Sequence, residues 1–169
     1  ISNLSGEVLS VDFLLLSVVL FYSGILLYVI LITLIMYRYV FLSLDVSQLN
    51  PPYWINMGAI AISVYSGCVL VENADSLPFL AESAVFITFL TQGIWSFCLW
   101  WIPLIFSLGI WKYAVKKYPL KYELSFWSMV FPIGMFSVCS YMVAPAFGLK
   151  IVSQISIAFF FLGCLVWTL

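Results

Sequence analysis

The least ordinary chemistry in this chain sits in one uncharged run, Leu124 to Ala144 (LSFWSMVFPIGMFSVCSYMVA), where Ser128, Pro132, Gly134 and Ser137 interrupt large apolar residues. As a helix the run would be about 31 Å long, which matches a hydrocarbon core of about 30 Å. Pro132 then falls near mid-membrane. It donates no backbone hydrogen bond there, and its ring presses on the Ser128 carbonyl, so the helix is expected to bend or open locally. Such a fault is tolerated in a bilayer when neighbouring helices, hydroxyls or a water-filled cavity satisfy the freed groups. Ser128, Ser137 and Ser140 bring hydroxyls on the same segment. The run reads either as a structural kink inside a helix bundle or as a kinked helix lining a permeation path.

A second stretch, Tyr53 to Val71, places Ala59, Ser63 and Gly67 at i, i+4 and i+8, with Gly58 and Ser66 beside them. A small-residue stripe of this kind lets another helix approach closely, or keeps one face thin enough for a solute to pass. Either use requires rigid helices. Uncharged runs bounded by ionisable residues supply five candidate spans over residues 13–37, 53–71, 83–111, 124–144 and 151–169. The first is Leu, Ile, Val and Tyr on all sides, as suits a helix with much lipid contact.

Composition fixes the class. Of 169 residues, 65% are hydrophobic and 8% charged, where a soluble domain carries about 25% charge. The fold class is all-α, a polytopic membrane helix bundle of five transmembrane helices forming a single domain over residues 1–169. The chain has no histidine, and Cys68, Cys98, Cys139 and Cys164 form no Cys-x-x-Cys pair. That argues against a haem or zinc enzyme, a histidine proton relay and any metal or cofactor. A net charge of −1 without a basic arm gives no reason to expect nucleic acid. No acid or base falls near the middle of a span, whereas ion-coupled carriers usually keep one there. Beginning at Ile1 and stopping at Leu169 within an apolar run, the segment is expected to be part of a longer chain.

Loop charge orients the bundle. Lys112, Lys116, Lys117 and Lys121 face a single Glu123 after the third span, while Glu72, Asp75 and Glu82 follow the second. Basic loops favour the cytoplasm, so the N-terminus of the segment is expected outside and the C-terminus inside. Lys150 alone sits on the wrong side. Tyr37, Tyr39, Tyr53, Trp54, Trp111, Tyr113, Tyr118, Tyr122, Phe126 and Trp127 lie near inner span ends, as an aromatic belt requires.

Two stretches resemble the tellurite-resistance/dicarboxylate transporter family, which includes bacterial tellurite-resistance proteins, fungal malate permeases and plant slow-type anion channels. Residues 51–61 (PPYWINMGAIA) are similar to the start of the family's seventh helix, and residues 126–135 (FWSMVFPIGM) to that of its ninth. The spacing and the lysine-rich loop fit helices six to ten of ten. The resemblance implies five helical hairpins around a quasi-fivefold axis, with the second and fourth spans here lining a central pore. It implies a phenylalanine plug, for which Phe131 is the best match and Phe136 the fallback. It also implies a homotrimer in a plasma membrane, the bacterial cytoplasmic membrane being expected. Pore-lining residues are then expected at Gly58, Ala59, Ser63, Ser66, Gly67, Ser128, Pro132, Gly134 and Ser137. Kinked helices would expose backbone and hydroxyl dipoles that replace part of an anion's water shell. The implied function is transport of small anions of the tellurite, sulfite, nitrate, chloride or C4-dicarboxylate class. The alternatives are a proton-coupled dicarboxylate carrier of the same fold and a non-transporting assembly subunit. Five spans hold only two of the five inner helices, so the first half is expected elsewhere in a longer polypeptide.

Overall fold

The computed structural model describes residues 2–42, 45, 49–119 and 123–168. Lys121 and Tyr122, counted above with the basic loop and the aromatic belt, lie outside the described residues. Five helices make up the bundle: α1 (Ser2–Phe41), α2 (Ile55–Glu72), α3 (Pro78–Ile110), α4 (Val130–Phe147) and α5 (Lys150–Thr168). Each is long and apolar enough to cross a membrane, and no strand occurs among the described residues.

The helices are arranged as repeating units. The 3₁₀ turn Pro51–Trp54 leads into α2, and a second 3₁₀ turn, Leu124–Met129, leads into α4. The two turns lie against each other, and each is followed by an 18-residue helix and then a returning helix. Pro78 occupies the first turn of α3 after an extended Leu77, a position where the missing N–H had no helical partner to lose. Gly148, at φ 64°, ends α4 by donating to the Ala144 carbonyl at 3.1 Å, and α5 starts two residues later.

The expected mid-helix kink at Pro132 takes another form. The chain changes from 3₁₀ to α geometry at Met129–Val130, three residues before the proline. Pro132 therefore sits in the first turn of α4, where its missing donor costs little. The prolines inside helices are Pro103 of α3 and Pro145, one turn from the end of α4.

Burial separates inner helices from outer ones. Within their apolar windows 44% of residues are buried for both α2 and the α4 span, against 11% for α1, 28% for α3 and 17% for α5. The tightest pairings are α4 with α5, α2 with α3 and α2 with α4, while α1 rests more lightly on α2. The shared core runs through Met57, Ala61, Val64, Trp95, Cys98, Trp101, Ile133, Phe136 and Cys139.

With little hydrophobic drive between helices in lipid, close packing and hydrogen bonds hold the pairs. Ser137 and Ser156 donate to each other's backbone carbonyls at 2.8 Å across α4 and α5. Trp95 Nε1 donates to Ser140 Oγ at 2.9 Å, and Gln92 Nε2 to the Ala146 carbonyl at 2.8 Å, which joins α3 to α4. Tyr28 Oη donates to the Asn56 carbonyl at 3.3 Å and ties α1 to α2.

Gly67 has a similar role. A Cβ there would lie 2.1 Å from Thr91 Oγ1 and 3.2 Å from both Thr91 carbons, so rotating the threonine does not clear the clash. Gly67→Ala is expected to lower stability by about 1–3 kcal/mol, and Thr91→Ala in the same chain to recover most of that. Detergent-unfolding titrations followed by tryptophan fluorescence give the comparison; equal stability of Gly67→Ala and the parent would exclude the contact.

Candidate functional site: the crossing of α2 and α4

The two inner helices meet at Gly58. A Cβ on this residue would fall 3.2 Å from Pro132 Cα and Cγ and 3.3 Å from the Phe131 ring. A side chain here would press on backbone, so Pro132 and its helix would have to give by a few tenths of an ångström. Pro132 fits the contact because the start of a helix is where a proline ring can face a partner without breaking a hydrogen bond. Both Gly58 and Pro132 are buried.

Phe131 stands at the edge of this crossing, 52% exposed, on the open flank of the pair. Phe136 lies in the core with no exposed surface. Its ring stacks on Trp95 at 6.1 Å and meets Phe159 edge-on at 4.7 Å, so of the two phenylalanines only Phe131 borders open space. Ala59, beside Gly58, is exposed on the same face of α2 as Ile55 and Ile62. Along α4 the open face continues through Val138 and Tyr141.

The other expected residues divide among different surroundings. Ser63 and Ser66 are half-buried and border a groove of about 440 Å³ against Ser17, Phe21 and Gly24 of α1. Gly67 packs on Thr91, and Ser137 is buried in its exchange with Ser156. Gly134 lies near Gly163 of α5, where a Cβ on Gly163 would sit 3.8 Å from the Gly134 nitrogen. Ser128 Oγ donates to the Ser125 carbonyl at 2.6 Å inside its own turn. The structure thus brings Gly58, Phe131 and Pro132 together, leaves Ala59 exposed beside Gly58, and sets Ser63 with Ser66 on the α1 side.

Three polar groups were not singled out from sequence. Thr91 Oγ1 and Trp101 Nε1 are buried without a hydrogen-bond partner. Lys112, read from sequence as a loop lysine, is 4% exposed. Its neighbours Trp111, Tyr113 and Tyr118 were the available signal, since aromatic rings can cover an ammonium. Among the described residues no group of three potential metal ligands comes together.

Fold and crossing together define a multi-pass membrane protein of repeated helical hairpins with two close-packed inner helices. Comparison with known sequences goes further: residues 2–169 match the SLAC1 family of voltage-dependent anion channels, and the chain belongs to that family. This bears out the resemblance carried by residues 51–61 and 126–135. An uncharacterized membrane protein of Mycobacterium tuberculosis, Rv1735c, is 37% identical over 143 residues, covering 85% of this chain and 72% of the relative. Two uncharacterized transporters of Methanocaldococcus jannaschii, MJ0762 and MJ0576, are 30% and 28% identical and match 86% and 87% of this chain. The matches cover 41% of each archaeal protein. No solved structure matches the chain. The family places this protein among those that move anions through a membrane.

Proposed function

We propose that the flank where α2 and α4 cross forms part of the wall of an anion route and that Phe131 narrows that route. One observation carries the reading. The two most buried spans meet through Gly58 and Pro132, and the phenylalanine beside that contact is turned to the open flank instead of the core.

The chemistry of such a wall favours passage over retention. The flank offers Ala59, apolar side chains and, toward α1, the hydroxyls of Ser63 and Ser66. Hydroxyl and backbone dipoles replace part of an anion's hydration, and without a fixed cation at depth the ion is held weakly and leaves readily. A ring at the narrow point excludes water and ion until it turns aside. The substrates are small anions of the tellurite, sulfite, nitrate, chloride or C4-dicarboxylate class.

In this reading the lysine-rich end of α3 faces the cytoplasm, the N-terminus of the segment lies outside and its C-terminus inside, in a plasma membrane. The remaining walls come from further helices, in a homotrimer of complete pores. Recording currents from the full-length protein in planar bilayers while one anion replaces another provides the test. The expected result is a reversal potential that follows the anion gradient and ignores the cation. Currents no larger than those of protein-free bilayers would overturn the proposal, and substrate-driven acidification of a liposome lumen would point to a proton-coupled carrier.

A further inference from the structure

Lys112 is the second residue of a π-helical turn, Trp111–Val115, that continues α3. Such turns are rare and are frequent at functional sites. The Lys112 ammonium donates to the Leu49 carbonyl and lies 4.5 Å and 5.4 Å from the ring centres of Tyr118 and Tyr113. An ammonium has three N–H donors. One of them meets the Leu49 carbonyl.

This nearly buried cation borders a cavity of about 440 Å³ between the start of α2, the end of α3 and the turn before α4. The walls are largely apolar or aromatic, including Trp54, Ile105, Phe106, Phe126 and Met129. Two simple ligands suit it poorly. A small hydrated anion would shed water against rings that return few hydrogen bonds, and an uncharged chain would bring no acceptor to the ammonium at the cavity wall. A ligand with one anionic group and an apolar tail satisfies both parts. Tyr53, Trp54 and Tyr113 also line the cavity, and such residues gather where a membrane's headgroups begin.

We infer that this cavity binds the phosphate of an anionic membrane phospholipid at Lys112, with the upper part of one acyl chain against Ile105, Phe106 and Met129. A bound lipid would join the starts of both inner helices to the end of α3.

The test uses the full-length protein in dodecyl maltoside, mixed with palmitoyl-oleoyl phosphatidylglycerol or phosphatidylcholine, and retained lipid is counted by native mass spectrometry. The parent is expected to retain phosphatidylglycerol about fivefold over phosphatidylcholine. Lys116→Gln should keep that preference, since Lys116 is exposed and lies over Trp111 at 5.4 Å. Lys112→Gln should lose it. Gly109→Leu should lose it as well, because Gly109 lines the cavity and a Cβ there meets open space, so the leucine fills the slot and leaves the lysine in place. That second variant keeps the test decisive if Lys112→Gln does not fold. Equal retention of both lipids by the parent, or a preference unchanged in Gly109→Leu, would overturn the inference. So would displacement of the lipid by millimolar inorganic phosphate, which would mark a site for free anions.

Discussion

Phe131→Ala is expected to raise anion current in bilayers containing the full-length protein by about tenfold or more, since each 1.4 kcal/mol removed from a barrier is a factor of ten in rate. Phe131 is half-exposed at the α2–α4 crossing, so truncation opens space without hollowing a core. Phe136→Ala is the informative contrast. That ring is fully buried between Trp95 and Phe159, and its loss should cost about 3–5 kcal/mol of stability without increasing current. Single-channel recording separates a change in unit conductance from a change in the number of folded channels. A Phe131→Ala current equal to the parent's would remove the ring from any blocking role.

Gly58→Leu is expected to cost about 3 kcal/mol and to abolish transport. The neighbour 3.2 Å from a Cβ at this position is the Pro132 backbone as well as its ring, so no rotamer change relieves the overlap and α2 must move away from α4. Because the turns before both helices also touch, the displacement would extend to the lysine-rich end. Unfolding in detergent and anion flux in liposomes should fall together. A variant that unfolds like the parent would show that the helices do not meet there.

Much of the fold was legible in the sequence because bilayer thickness imposes a length on every apolar run. The five long uncharged stretches became five helices, and the small-residue stripe and the proline identified α2 and α4, the two most buried spans. What stayed hidden depended on partners that one sequence does not name. Ser137 reads as an open hydroxyl until Ser156, on the returning helix, is found exchanging hydrogen bonds with it. Gly67 and Gly58 look alike in sequence, yet one accommodates a threonine side chain and the other a proline backbone. The expected kink at Pro132 was misplaced for a local reason. A proline conflicts with α geometry only where an earlier α turn exists, and the residues before it took the 3₁₀ form. Lys112 was misread because positive-inside counting treats every loop lysine as solvated, whereas aromatic neighbours and a π turn fold this one inward.

The left-handed residue that closes α4 bears on how the protein is made. With Gly148 and Leu149 alone separating α4 from α5, the two helices form a tight hairpin. Lys150 starts α5 beside the turn, and the Ser137–Ser156 exchange closes the pair. Because Gly148 holds a left-handed conformation that other residues rarely adopt, defects in this turn are expected to surface as failures of assembly before they surface as failures of conduction.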